Sequence, residues 1–259
     1  MSQGVESLAG NAIDSGPIRL TASNGMTGDR HGATLADMDL SDLDRYGAVR
    51  LPALLSPDRC TEMIALWDRP DLFRKEVVMA RHGYGSGRYR YFGYPLPEPV
   101  AALREALYPA LASQANRWAE MLGRGDIYPA RHADFLKTGS LGGQDKATPL
   151  LLRYETGDWN ALHQDVYGPH VFPLQVAILL SEPGRDFTGG AFVLTEQRPR
   201  MQSRPEIVPL GQGDAVVFPV RDRPVTGVRG VHRVQMRHGV SRLLSGVRYT
   251  LGIIFHDAA

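Results

Sequence analysis

Leu150-Leu151-Leu152-Arg153-Tyr154-Glu155-Thr156-Gly157 opens a change of texture in this 259-residue chain. From there to the C-terminus short apolar runs alternate with turn residues: NALHQDVYG (160–168), FPLQVAILL (172–180), GGAFVLTE (189–196), EIVPL (206–210), GDAVVFPV (213–220), VHRVQMRHGV (231–240) and GVRYTLGIIFHD (246–257). Strand-length runs broken by Gly and Pro, with no helical stretch between them, predict an antiparallel barrel or double-sheet jelly roll rather than βαβ units. The fold class expected is mainly β with helical support.

Upstream of Thr148 the spacing turns helical. Val100, Leu103, Leu107, Leu111, Trp118 and Met121 recur on one face and predict the longest helix over 97–122. Ser56-Pro57 offers an N-cap followed by proline at the first helical position, so a helix starts there. Leu40, Leu43 and Tyr46 suggest a short helix before it, and 129–137 another. Residues 36–147 are therefore expected to be helical support carrying a substrate lid, and 148–259 the β core. Residues 1–35, rich in Gly, Ser, Asn and Thr and lacking a period, read as a flexible leader.

With 29 basic against 28 acidic residues the chain is no polycation, and any nucleic-acid contact has to come from a local patch. The single cysteine, Cys60, excludes an internal disulfide and cysteine-based zinc or iron–sulfur sites. No apolar run approaches the roughly 20 residues of a membrane span, and the first thirty residues lack a secretory signal's apolar block. A cytoplasmic protein without membrane contact is expected, and no obligate protein partner is implied.

Among eight histidines one stands in a suggestive frame, His163-Gln164-Asp165. Residues two apart on a strand project to the same side, so an imidazole and a carboxylate can grip one ion. Taken alone, the pair also fits an ordinary hydrogen-bonded histidine. A third ligand from a distant strand would give two histidines and one carboxylate on one face of an octahedral metal, with three positions open. His238 and His232 compete for that place, and their even separation keeps strand alternation from choosing between them. Ten residues after His238, in HGVSRLLSGVRYTL, Arg248 offers a planar fork for a carboxylate. A turn near Ser245-Gly246 would set His238 and Arg248 on neighbouring antiparallel strands.

Together with Phe187-Thr-Gly-Gly190 and Gly213-Asp-Ala-Val-Val-Phe218, these motifs resemble, in order and spacing, the Fe(II)/2-oxoglutarate-dependent dioxygenases, most closely the prolyl 4-hydroxylase type of catalytic domain. The stretch from Leu150 to Asp257 also resembles a bacterial branch of that superfamily associated with damaged nucleic acid and AlkB-like chemistry. The resemblance implies a double-stranded β-helix core (jelly roll, cupin-like), with Fe(II), 2-oxoglutarate as cosubstrate, and dioxygen. It implies His163, Asp165 and His238 as metal ligands, Arg248 as the partner of the cosubstrate's far carboxylate, Thr250 as a hydroxyl beside it and Tyr154 as a further contact. His232, 16 residues before Arg248, is the rival third ligand because that spacing is nearer the AlkB-like pattern. Leu152 stands where AlkB-like relatives carry asparagine, and Ala191 where the hydroxylases often carry an acid. The reaction implied is decarboxylation of 2-oxoglutarate to succinate coupled to hydroxylation of a C–H bond.

For the substrate, the segment from Arg81 through Tyr84, Arg88, Tyr89, Arg90 and Tyr91 to Tyr94 holds three arginines, five aromatics and no acid. Rings can stack a base and guanidinium groups can bind phosphate, as single-stranded or flipped bases require. The plainer reading is a hairpin whose rings pack while its arginines face water. Trp159, four residues before His163, can line the pocket mouth. A second basic concentration (Arg198, Arg200, Arg204, Arg221, Arg223, Arg229, Arg233, Arg237) is either a solvated face or a phosphate-binding one. His170, His256 and Asp257 read as supporting or surface groups, Trp67 and Trp118 as core. The substrate classes in play are a modified base, open to oxidative demethylation, and a prolyl or other amino-acid side chain or small metabolite. A cupin-like binding protein is the non-enzymatic alternative.

Overall fold

The computed structural model describes residues 38–259 except 199 and 229, so the leader expected over 1–35 lies outside the described residues, as does Arg229. The chain enters through α1 (Ser41–Arg45), β1 (Val49–Leu51) and α2 (Pro57–Ala65). The Ser56 side chain accepts a hydrogen bond from the Arg59 amide and Pro57 occupies the first turn, the N-cap chemistry expected of that dipeptide. Strands β2 (Phe73–Val78), β3 (Gly85–Ser86) and β4 (Arg88–Phe92) precede the long helix α3 (Glu98–Met121) and α4 (His132–Leu141). The apolar runs then become β5 (Leu150–Glu155), β6 (Trp159–His163), β7 (Leu174–Leu179), β8 (Phe187–Gly189), β9 (Phe192–Gln197), β10 (Arg204–Val208), β11 (Ala215–Pro219), β12 (Asp222–Gly227), β13 (Gly230–Val240) and β14 (Leu243–Ile254).

Two antiparallel sheets face each other, the jelly roll of a double-stranded β-helix. One runs β1-β11-β7-β14-β5-β4-β2 with β8 attached to β14; the other runs β10-β9-β13-β6-β3 with β12 attached to β13. Strand alternation decides what lies between the sheets. On β14, Leu251 and Ile253 join the apolar core with Val100, Leu103, Leu107, Leu111 and Trp118 of α3, whereas Arg248, Thr250, Gly252 and Ile254 line a cavity on the other face. The helices thus cover the outer face of the larger sheet and leave its inner face to the site.

Two local expectations are revised. Within 73–92 only Met79–His82 is helical, a single 3-10 turn: β2 pairs with β4, and β4 pairs with β5 through Tyr91↔Leu150, so a hairpin, the plainer reading of Arg81–Tyr94, widens the larger sheet. His238 and Arg248 are not on neighbouring strands. The chain turns at Ser241-Arg242 and passes from the smaller sheet to the larger, so the two side chains face one cavity from opposite sheets. Gly246 is a kink within β14, not the hairpin turn: its φ is +84°, and a Cβ there would lie 2.0 Å from the Asp186 carbonyl oxygen.

The helical layer carries its own titration. His132 on α4 donates from Nε2 to the Phe255 carbonyl oxygen at 2.8 Å, and burial pushes its imidazole down to about 3 from an ordinary 6.5, with the Arg104 charge adding to the shift. The folded imidazole stays neutral where the unfolded one takes up a proton. Stability from this group is therefore complete above the unfolded pKa and is lost as pH falls from about 6.5 toward 3, by up to about 1.4 kcal/mol per pH unit. Urea unfolding of wild type and His132→Gln between pH 7 and 4 is expected to give a steeper loss in the wild type. Parallel profiles would show that His132 is not the group responsible.

Candidate active site

Cross-strand pairing brings the two histidines together. His238 on β13 sits directly opposite His163 on β6, and their ring centroids are 4.1 Å apart. Asp165, two residues beyond His163, completes a group whose ligand atoms all lie within 4.8 Å of one another. His163 Nε2 is 3.5 Å from Asp165 Oδ1 and His238 Nε2 is 3.3 Å from Asp165 Oδ2. His163 Nδ1 donates to the Ala161 carbonyl at 2.8 Å, which fixes the tautomer that turns the Nε2 lone pair toward the carboxylate. Burial alone would raise the Asp165 carboxyl, but the His163 and His238 imidazoles hold it well below the usual carboxylate range. Burial and then the His163 charge lower His238. His232 is exposed on the same strand, six residues and about 20 Å from His238, and takes no part in the cluster.

Tyr167 was not singled out by its sequence. Its hydroxyl donates to Asp165 Oδ1 at 2.6 Å and accepts from the Tyr91 hydroxyl at 3.0 Å. These bonds hold the carboxylate at the oxygen that also faces His163. His256 is buried beside this group, and burial pushes it down to about 4. Asp257 is spent in the fold, accepting from Arg104 at 2.8 Å and from the Tyr94 hydroxyl at 2.8 Å.

The triad opens into a cavity of about 930 Å³. Arg248 lies in its wall with 1 % of its surface exposed. It donates to the Thr250 hydroxyl, but its Nε has no hydrogen-bond partner and no carboxylate pairs with it among the described residues. Burial pulls the guanidinium down to about 10. A buried cation without a counter-ion is costly, and its fork matches a ligand carboxylate. Gly190, at φ +59°, leaves it room: a Cβ there would come 3.1 Å from Arg248 Cδ and 2.2 Å from Leu243 Cδ1. Tyr154 is fully buried beside it, its phenol pushed up to about 12 by burial, and so remains a donor at neutral pH. Its hydroxyl accepts from Asn160 Nδ2 at 3.3 Å.

The residues expected above the site divide. Tyr84, Tyr89 and Tyr91 line the cavity, whereas Arg81, Arg88, Arg90 and Trp159 do not. Arg90 donates to Glu76 and to the Trp67 carbonyl, with its guanidinium 4.3 Å from the Trp67 ring centroid. Arg88 lies 4.0 Å from Glu76. The second arginine concentration also serves the fold in part. Arg198, Arg204 and Arg223 surround the buried Glu196, and Arg124, Arg221 and Arg233 surround the buried Asp222. Arg74, Lys75, Lys146 and Gln175, none of them anticipated, complete the cavity wall. Among the described residues no helix is long and apolar enough to cross a membrane.

Two histidines, one carboxylate and a buried unpaired arginine in one cavity fit a metal with three open positions and an anionic cosubstrate. The chain is 49 % identical over 182 residues, covering 69 % of its length and 78 % of the relative, to an uncharacterized protein of Mycobacterium tuberculosis. It superposes on a prolyl hydroxylase of Trichoplax adhaerens, in complex with a hypoxia-inducible-factor peptide, with a TM-score of 0.50 at 15 % identity over 86 % of this chain and 89 % of that one. A Pseudomonas putida prolyl 4-hydroxylase aligns over 87 % of this chain and 100 % of its own at 18 % identity and a TM-score of 0.48. Residues 87–258 match the family described as oxygenases catalysing oxidative methylation of damaged DNA. The chain belongs to this oxygenase family and is a dioxygenase of the Fe(II)/2-oxoglutarate class.

Proposed function

We propose that the chain oxidises a carbon on a modified base in nucleic acid, with His163, Asp165 and His238 holding Fe(II) and with Arg248, Thr250 and Tyr154 holding 2-oxoglutarate. The observation that carries the cosubstrate assignment is the Arg248 guanidinium, buried, lacking a carboxylate and facing the cavity of the triad. Bound iron supplies the redox chemistry by which one oxygen atom of dioxygen enters succinate as carbon dioxide leaves, and the other reaches the substrate as hydroxyl. The chain's residues bind and orient. Arg248 and the Thr250 hydroxyl receive the far carboxylate, the Tyr154 phenol donates beside them, and Tyr167 fixes the rotamer of Asp165. If the oxidised carbon is an N-methyl group, the product is an N-hydroxymethyl base. Loss of its hydroxyl proton to the departing nitrogen releases formaldehyde and leaves the base N–H.

The nucleic-acid reading is supported by the description of the family and by the rings at the mouth, where His82 and Tyr84 stack at 5.3 Å. The test is succinate and formaldehyde release from 2-oxoglutarate, Fe(II) and an N-methylated single-stranded oligonucleotide. Equal amounts of both products, dependent on the oligonucleotide, are expected. Succinate formed at the same slow rate with and without oligonucleotide, and no formaldehyde, would turn the search to peptides and metabolites.

A further inference from the structure

Asp165 is the one carboxylate side chain among the described residues that line the cavity, against four cations: Arg74, Lys75, Lys146 and Arg248. A metal dication, the cosubstrate dianion, Asp165 and Arg248 together sum to zero. Arg74, Lys75 and Lys146 are left over. Of these, Lys146 donates to the Ala259 main-chain oxygen at 2.8 Å, and Lys75 makes no side-chain hydrogen bond or ion pair among the described residues.

The backbone explains why two consecutive cations reach one cavity. On β2, Val77 and Lys75 face inward, while Glu76 faces the other way to meet Arg88 and Arg90. Alternation would send Arg74 outward as well. The register of β2 against β4 slips there, from Phe73↔Phe92 to Lys75↔Tyr91, which makes Arg74 the extra residue of a β-bulge. Such a bulge re-aims a side chain, and Arg74 joins Lys75 in the cavity wall. The guanidinium is held in place: Nε donates to the Ala147 carbonyl at 2.8 Å, and the group lies 4.7 Å from the Tyr91 ring centroid. Among the described residues no carboxylate pairs with it, so its terminal nitrogens remain for a ligand.

These two cations are separate from the cosubstrate's. Lys75 pairs with Tyr91 and Tyr91 with Leu150, whereas Arg248 pairs with Tyr154. Four residues of β5, about 13 Å, divide the two positions, too far for one five-carbon dicarboxylate to touch both.

We infer that Arg74 and Lys75 form a phosphate clamp at the cavity mouth that holds the strand beside the base being oxidised. The inference rests on the nucleic-acid reading above and adds to it the residues that grip the backbone. They replace Arg88 and Arg90 in that role, since those are occupied by Glu76.

The test is binding of a single-stranded oligonucleotide bearing an N-methylated base to the full chain, followed by fluorescence anisotropy across a salt series. Lys75→Glu and Arg74→Gln/Lys75→Ala are compared with wild type, and Arg185→Ala, on an exposed Glu182 and Asp186 pair, is the control. Each lost phosphate contact lowers the salt slope by about 0.7 for a single strand. Over a fourfold rise in salt the wild type is then expected to weaken about sevenfold more than the double variant. The phosphate-free modified nucleoside should bind all forms alike, and its 5′-monophosphate should distinguish them, as the strand does. Thermal melting verifies that each variant is folded, and Lys75→Glu serves if the double variant is not. Equal strand affinity and salt slope in wild type and Lys75→Glu would overturn the clamp while leaving the nucleic-acid reading intact. A wild type that binds no strand at all would overturn both.

Discussion

Arg248→Met is expected to remove 2-oxoglutarate binding and to leave the fold at least as stable as before. In wild type the guanidinium is taken out of water with its Nε unbonded and, among the described residues, no carboxylate paired with it, a state that folding has to offset. Methionine fills similar space without that cost. A bound dicarboxylate reverses the balance, because a buried, hydrogen-bonded charge pair loses about 2–5 kcal/mol when one partner is truncated. That corresponds to roughly 30- to 5,000-fold in Kd. Calorimetry under anaerobic conditions reads the affinity directly. Thermal melting gives the complementary signature: added 2-oxoglutarate raises the wild-type Tm through mass action and leaves the variant's unchanged. Arg248→Lys should fall between, since the ammonium keeps the charge and loses the fork. A Met variant that binds 2-oxoglutarate like wild type would remove Arg248 from the site.

The parts of the fold that rest on local chemistry were legible in the chain. Ser56-Pro57 marks a helix start whatever surrounds it, and the α3 stripe buries five predicted residues because 3.6-residue spacing has one apolar solution there. His163 and Asp165 were legible because both donors lie within three residues. What escaped depends on contacts between distant segments. Phe73–Val78 reads FRKEVV, too charged to announce a strand, and becomes one because Glu76 meets Arg88 and Arg90 on a neighbouring strand. Asp222–Gly227 contains Pro224, which argues against a central strand; it pairs with β13 alone, at an edge where a missing amide is tolerated. Gly246 looks like a turn because glycine supplies positive φ, and only the sheet pairing tells a kink from a reversal. Tyr167 and the Arg74 bulge carry no local motif. Parity could not separate His232 from His238 either, and it is the pairing of distant strands that sets His238 opposite His163 across β6 and β13.

That choice yields the sharpest contrast among variants. His163→Ala, Asp165→Ala and His238→Ala each delete a donor from a cluster of three, whereas His232→Ala removes an exposed ring about six strand positions away. Groups that merely support metal ligands typically contribute 10–100-fold in metal affinity. Loss of a ligand should therefore cost more than about 100-fold, and Tyr167→Phe, which frees Asp165 Oδ1 from its 2.6 Å hydrogen bond, about 10–100-fold. Titration of the apoprotein with Co(II), followed by visible absorption, measures these affinities without turnover, and succinate formation then reports whether catalysis follows them. His232→Ala should match wild type in both. Asp165→Asn separates charge from shape: it keeps the size and an acceptor for Tyr167 while removing the anion that both imidazoles face, so its affinity should fall close to that of Asp165→Ala. If His238→Ala kept its metal and His232→Ala lost it, the strand register that places His238 opposite His163 would be wrong. That would move Arg248 relative to the metal as well, since one turn at Ser241-Arg242 connects their strands.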